Sequence, residues 1–263
     1  IPMDIGVFFL QQEAMQRHGS YCTDIAMFVK ATKGSASGGT LASMMNIIKE
    51  VRADKNVARI LTDPYSLNPE GEREGPDGRD QQKVLYDDKA ECWTAPFIMA
   101  GVNTRVVRRS NALAGYPYSK DFRYREAVMT GTGTSGWMKG NLMALALGAL
   151  ATGIYFNPTR RLLQKFLLPK PGEGPDEKAR EAGFFNLMQV GTLADGTVMR
   201  TRITGDRDPG YGSTSKMLAE AAVCLAKNDL SSDGGVLTPA AAMGAPLLAR
   251  LRDNAGLTFD VVD

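Results

Sequence analysis

The chain has little histidine and little cysteine. His18 is the only histidine, so a Ser-His-Asp or Cys-His mechanism, or a metal site of several histidines, would have to be built around this one residue. The three cysteines, Cys22, Cys92 and Cys224, are odd in number and far apart, which argues against a disulfide framework and a CxxC metal site. These scarcities exclude metal ligation as a leading hypothesis and favour a reducing, intracellular compartment.

A strong net charge is also missing. Lys+Arg 31 against Asp+Glu 29 gives a net charge of +2, so no nucleic-acid partner is predicted. The glycine-rich segment 33–40 matches neither GxGxxG nor GxxxxGK[ST], and we expect the chain to lack a nucleotide-binding motif. The chain starts at Ile1 with no initiator methionine and no secretory segment, so we expect it to continue a longer polypeptide.

What the chain does contain is apolar residues at helical or alternating spacing, enough to bury a substantial core. The pattern predicts an α/β (α+β) fold, a mixed sheet covered by helices. Residues 62–90, rich in Pro, Gly and charge, are predicted to form a long surface excursion. The predicted strands are 21–32, 122–130, the two arms of a hairpin over 184–205, and 257–263, and the predicted helices are 4–17, 41–51, 216–228 and one within 231–256.

Three arginines follow an apolar run in the segment WTAPFIMAGVNTRVVRRSNAL, residues 93–113. If this segment is helical, Arg105, Arg108 and Arg109 share one face. Guanidinium groups match carboxylate and phosphate, so the cluster predicts a clamp for a substrate anion. The alternative is a helix face whose arginines form intramolecular salt bridges, and the spacing alone does not choose between the two.

A long apolar segment lies at residues 137–156 and is followed by basic residues. Its glycines and alanines favour a buried helix over a membrane span. Arg160, Arg161 and Lys165 then stand among leucines and Phe166, which is typical of a basic amphipathic helix on a membrane surface. A packed helical hairpin with a solvated basic side is the other interpretation. The whole hydrophobic helical segment is taken as 137–168.

Glycine-rich turns precede three predicted helices. The first, residues 33–40, would present Gly38, Gly39 and Thr40 to an anion at a helix N-terminus, or simply cap the helix. The second, residues 206–215, adds Tyr211, a candidate proton donor whose ordinary alternative is packing. The third spans 233–239. Together they are compatible with one shared ligand cleft.

The order of several blocks resembles a known family. IPMDIGVFFLQ, GSASGGTLASMM, TDPYSLNP, the arginine segment, FRYREAVM, GYGSTSKMLAEAAVCLA and GGVLTPAAAMG resemble the part beyond the nucleotide-binding half of saccharopine dehydrogenase-like oxidoreductases. More narrowly, the chain looks like the branch that includes trans-acting enoyl reductases. The resemblance implies an NAD(P)-dependent reductase with an N-terminal Rossmann domain and a C-terminal mixed α/β domain.

This resemblance sets the expected organisation and function. Residues 1–18 would be a helix continuing from an absent Rossmann domain, and 19–263 the substrate-binding and oligomerising domain. NAD(P) would be held mainly by the absent domain, and the substrate would be a lipid-like or polyketide-derived acyl chain. The competing hypothesis is a non-catalytic scaffold or assembly subunit associated with a membrane or lipid droplet.

Overall fold

The computed structural model describes residues 1–34, 38–156, 158–161 and 174–262. The strands are β1 (Asp24–Lys33), β2 (Leu85–Asp87), β3 (Cys92–Pro96), β4 (Arg123–Gly131), β5 (Phe184–Thr192), β6 (Val198–Gly205) and β7 (Leu257–Val262). The helices with defined bounds are α1 (Pro2–His18), α2 (Gly38–Ala53), α3 (Lys55–Thr62), α4 (Ala100–Leu113), α5 (Gly133–Tyr155), α6 (Glu177–Glu181), α7 (Gly212–Lys227) and α8 (Pro239–Asn254).

The strands form one mixed sheet in the order β2-β3-β4-β1-β5-β6-β7. β1 pairs in parallel with β4 and antiparallel with β5, and the remaining pairs are antiparallel. The hairpin β5–β6 turns where Asp195 accepts a hydrogen bond from the amide of Thr197 and Gly196 adopts a φ of 89°. The α/β fold class predicted from the sequence is confirmed.

The main core lies on one face of this sheet, beneath α1 and α8. Gly6 allows the close approach of α1, because a Cβ there would lie 2.3 Å from the Ile203 side chain. Gln11 of α1 exchanges two hydrogen bonds with the backbone of Cys22, which fixes the helix against the start of β1. Helix α1 ends at Gly19, whose φ of 69° supplies the left-handed cap. The predicted helix over 4–17 is thus confirmed with slightly wider bounds.

Helix α5 corrects the expectation of a buried helix over 137–156. It packs on β3 and β4 through Gly136 and Gly140, and a Cβ on Gly136 would lie 2.2 Å from the carbonyl oxygen of Gly131. Most of its large apolar side chains instead face solvent, including Met138, Leu142 and Leu145. The buried helix expected from the apolar composition is not found, because the small residues of α5, not its large ones, make the contact with the sheet. No helix among the described residues is long and apolar enough to cross a membrane.

The surface excursion predicted for residues 62–90 needs a second correction. It contains little regular structure, as expected, apart from the short strand β2. Yet Tyr65, Asn68 and Asp87 are buried, because the segment packs against α4 and β4 instead of extending into solvent. The arginine segment 93–113 also differs from a single helix: it begins as β3 and becomes helical only at Ala100.

Candidate functional site

The three arginines of α4 hold the preceding segment of the chain in place. Arg105 donates to the carbonyl oxygen of Leu61 at 3.0 Å, and Arg108 donates to that of Pro64 at 3.0 Å. Arg109 donates to the carbonyl oxygen of Leu67. The three carbonyl groups are three residues apart, so the arginine face of α4 fixes residues 61–67 along its length.

Two aspartates complete this network. Arg105 forms a salt bridge with Asp80 at 2.9 Å, and Asp80 also accepts from the hydroxyl of Thr104 at 2.9 Å. Arg108 forms a salt bridge with Asp77 at 2.7 Å. Arg108 also donates to the carbonyl oxygen of Tyr124 at 2.9 Å, and the guanidinium lies 5.3 Å from the centre of the Tyr65 ring. Arginine suits this position because its fork can serve several acceptors at once.

The burial of the arginines bears on whether they form a substrate clamp or an intramolecular salt-bridge network. Arg105 is 7% exposed and Arg108 is 4% exposed, so a substrate anion would have to displace Asp80 or Asp77 to reach them. Arg109 is less buried, and its second nitrogen donates to the carbonyl oxygen of Val236 at 2.8 Å. The geometry therefore favours the intramolecular salt-bridge network over a substrate clamp. Direct substrate binding by these three residues stays a prediction.

A cleft of about 500 Å³ opens beside this network. On β4, only residues 127–131 pair with β3, and the segment 77–81 covers the edge of β4 before them that β3 leaves unpaired. The amide of Tyr124 donates to Asp77 at 3.1 Å at this place. The cleft is lined by Asp77, Gly78, Arg79, Asp80, Gln81, Leu85, Tyr86, Asp87, Asp88, Lys89, Thr94, Arg108, Tyr124 and Arg125.

The cleft carries balanced charge and one apolar side. Its four aspartates are matched by three arginines and a lysine, and Arg125 forms a salt bridge with Asp87 at 2.7 Å. Leu85 and Tyr86 supply exposed apolar surface, with the Tyr86 ring edge-on to Trp93 at 5.5 Å. Such a lining suits a ligand portion with amide or hydroxyl groups better than a polyanion.

A buried carboxyl group lies behind α4 that sequence reasoning missed. Glu126 is 2% exposed and accepts hydrogen bonds from the Tyr124 hydroxyl at 2.8 Å and the Asn103 amide at 2.9 Å. Burial raises its pKa to about 8, although the bonds from Asn103 and Tyr124 act in the opposite direction. In the sequence, alternation in FRYREAVM places Glu126 on the same strand face as Tyr124 and Val128, and that signal could have revealed it.

The glycine-rich turns do not all meet at this cleft. The first two adjoin each other, because a Cβ on Gly34 would lie 2.7 Å from the Pro209 side chain. Gly38 and Gly39 begin α2, whereas residues 35–37 and the side chain of Thr40 lie outside the described part of the chain. The third turn instead contacts α4, where Ser110 donates to Asp4 and Thr238 lies 2.7 Å from the Ser110 hydroxyl.

Tyr211 stands apart from the cleft lining as well. It is the residue preceding α7, its ring is partly exposed, and its amide donates to Asp208 at 2.9 Å. Asp208 also accepts from the amides of Gly210 and Gly212, so its carboxylate already caps this helix. Tyr211 is 40% exposed, but the structure does not bring it into contact with the arginines.

The basic residues predicted to touch a membrane are only partly described. Arg160 and Arg161 lie in the short described stretch 158–161, and Arg161 is exposed. Lys165 and Phe166 lie outside the described residues. The membrane contact predicted for this set stays a prediction.

The described residues do not fit an NAD(P) cradle. The segment after β1 lacks GxGxxG, whereas Gly131, Gly133 and Gly136 have that spacing where β4 leads into α5, which corrects the expectation that the motif is missing. The next described strand after α5 is β5, which is antiparallel to β1 and therefore not parallel to β4. A dinucleotide fold instead has a compact strand-helix-strand unit with that fingerprint.

Within the described ranges, no group of three His, Cys, Asp or Glu side chains could hold a metal ion. Burial also raises the pKa of Cys22 to about 12, which disfavours its thiolate.

The structure thus shows a mixed α/β fold with a polar cleft. Comparison with known proteins shows which proteins this chain resembles. A Mycobacterium tuberculosis H37Rv protein, provisionally named a trans-acting enoyl reductase, is 38% identical over 262 residues. Proteins named trans-acting enoyl reductase from the same strain and from Mycobacterium ulcerans are 33% and 34% identical. Each match covers 95% of this chain and 62% of the relative.

The chain is therefore similar to proteins named trans-acting enoyl reductases and spans 62% of the length of these curated relatives. No family profile matches the chain. No solved structure matches it either.

Proposed function

We propose that this chain is the substrate-binding and oligomerising part of an NAD(P)H-dependent enoyl reductase. The observation that carries the proposal is the 33–38% identity, over 95% of the chain, to proteins named trans-acting enoyl reductases. The proposed substrate is a lipid-like or polyketide-derived acyl chain with a carbon-carbon double bond. NAD(P)H, when bound, supplies a hydride to one carbon while a proton is added to the other, and the cofactor leaves oxidised.

The residues of this chain would bind and orient the acyl substrate. The cleft beside Asp77 and Asp80 offers hydrogen-bond partners for the polar part of the substrate, and Leu85 and Tyr86 offer apolar contact. Arg105 and Arg108 would act as positioning residues, because they hold the 77–81 side of the cleft in place. Tyr211, the proton donor predicted from the sequence, is 40% exposed but lies apart from this cleft, so the proposal assigns the cleft to substrate binding and assigns no proton donor to it.

NAD(P) binding is assigned in this proposal to a part of the protein beyond this chain. The GxGxxG spacing at 131–136 is not followed, among the described residues, by a strand parallel to β4, and this together with the greater length of the relatives supports that assignment. The intact mass of the native protein tests it cheaply. Titration of the present chain alone with NADPH should give no saturable binding, whereas saturable binding by this chain would contradict the assignment.

Reductase activity is tested on the purified full-length protein. NADPH absorbance is followed with a 2-enoyl thioester and, as the matched control, with the saturated thioester of equal length. We expect NADPH loss only with the enoyl thioester, and a product heavier by two hydrogens. Absence of turnover with NADPH and NADH over several acyl lengths, in a folded protein, would favour the non-catalytic scaffold.

A further inference from the structure

Helices α2, α3 and α5 form a surface that the reductase proposal does not use. α2 and α3 pack against each other, and the Arg52 guanidinium lies 4.1 Å from the centre of the Tyr155 ring, which joins α2 to the end of α5. We name the exposed, described side chains of residues 38–62, 133–156 and 158–161 the basic helical surface. Its composition differs from that of the remaining chain in both apolar exposure and charge.

One face of α5 is apolar and open. Met138, Leu142 and Leu145 are spaced by four and three residues and are 63%, 69% and 70% exposed. Gly136 and Gly140 lie on the opposite face and make the contact with the sheet. α3 has no buried residue at all. Large apolar side chains exposed on this surface are Ile47, Ile60, Leu61, Trp137, Met138, Leu142, Met143, Leu145, Tyr155 and Phe156.

The same segments concentrate positive charge. Glu50 and Asp54 are their only acidic residues. The whole chain carries a net charge of only +2, so the rest of the chain has more acidic than basic side chains. Their basic residues are Lys49, Arg52, Lys55, Arg59, Lys139, Arg160 and Arg161.

We propose that the basic helical surface docks on an anionic phospholipid bilayer. Exposed apolar side chains would enter the boundary between headgroups and acyl chains, while lysines and arginines face the anionic headgroups. Trp137 and Tyr155 suit that boundary because each has an apolar body and a polar end. The described helices cannot cross a membrane, so the contact is one of lying on the surface.

The positive charge of the basic helical surface favours an anionic bilayer, and not a second copy of the chain, as its partner. A two-fold dimer through this surface would place the basic side chains of one copy against those of the other. An anionic bilayer has the complementary charge and also accepts the apolar side chains. The inference does not depend on the reductase activity, since it uses none of the residues that line the cleft.

The test is co-sedimentation of the full-length protein with vesicles. We expect binding to vesicles of phosphatidylcholine with phosphatidylglycerol, and little binding to phosphatidylcholine alone or at high salt. The double variant Leu142→Asp/Leu145→Asp should lose at least about tenfold in binding, because two apolar groups no longer enter the boundary. The matched control is Leu218→Asp/Leu225→Asp, whose leucines are 65% and 59% exposed on α7 and should leave binding unchanged.

A second pair of variants isolates the charge. Lys139→Glu/Arg161→Glu should also lower binding by about tenfold or more, whereas Lys178→Glu/Lys227→Glu, at exposed lysines elsewhere, should lower it far less. Equal binding to neutral and anionic vesicles, or equal losses in test and control variants, would overturn the proposal. So would a dimer in solution that Leu142→Asp/Leu145→Asp converts to a monomer without any vesicle binding by the parent protein.

Discussion

The arginines of α4 and the basic residues of the basic helical surface carry the same charge in different environments. On α4, Arg105 and Arg108 are nearly buried and bonded to Asp80, Asp77 and backbone carbonyl groups. On the basic helical surface, Lys139 and its neighbours stand exposed beside apolar side chains. A cluster of arginines in a sequence therefore does not by itself identify a binding site, because buried partners can already occupy it.

The energetic consequence of the two arrangements should differ by several kcal/mol. Removing one partner of a buried ion pair leaves an uncompensated charge in the interior, which costs about 3–5 kcal/mol. Substitution of an exposed residue without buried partners usually changes stability by less than about 0.5 kcal/mol. Stability measurements on one variant from each region therefore test this difference.

The largest effect is expected for Arg108→Ala. The variant should lose about 3–5 kcal/mol of unfolding free energy in urea, because Asp77 and the carbonyl oxygen of Tyr124 lose their donor inside the protein. Leu142→Asp on α5 is the control from the other region and should stay within about 0.5 kcal/mol of the parent. Similar losses in both variants would remove the distinction between the two regions.

A smaller effect, visible through pH, is expected for Glu126→Gln. The folded-state pKa of Glu126 is raised from 4.5 to about 8, so the folded protein keeps this proton where the unfolded chain has lost it. Parental stability should therefore fall as pH rises from about 5 to 8, whereas the Gln variant lacks this loss. The difference between the two should grow on the order of 3 kcal/mol over that range.

Urea unfolding of both proteins at several pH values measures this difference. Glu70→Gln, at an exposed carboxylate, serves as the control and should follow the parent at every pH. A constant difference between Glu126→Gln and the parent across the range would mean that Glu126 is ionised in the fold.

Much of the fold could be predicted from sequence, and the reasons are local. The hairpin β5–β6 follows from alternation around Asp195 and Gly196, and α1 follows from Pro2 and Gly19 at its ends. The mixed sheet follows from strands that arise in separate parts of the chain. These features depend on spacing and turn chemistry that a single sequence displays.

The candidate site was harder to predict from sequence, because the residues that contact one another there are distant in the chain. Arg108 meets Asp77 across 31 residues, within a segment that shows little periodicity, so no local pattern predicts the pair. The exposure of α5 is hard to predict for a related reason. Which face of a helix touches a sheet depends on the space available, and Gly136, without a Cβ, lets α5 lie close against the end of β4. Sequence supplied the candidate residues, whereas tertiary packing decided their roles.

The central claim is that Arg105 and Arg108 stabilise the fold through their buried partners and position the cleft. Arg105→Ala in the full-length protein tests it most directly, with unfolding free energy and KM for an enoyl thioester measured on the same preparation. We predict a loss of about 3 kcal/mol of unfolding free energy together with a higher KM, because Asp80 and the 77–81 side of the cleft lose their anchor. A KM raised about tenfold or more with unchanged stability would contradict the account and restore the substrate clamp.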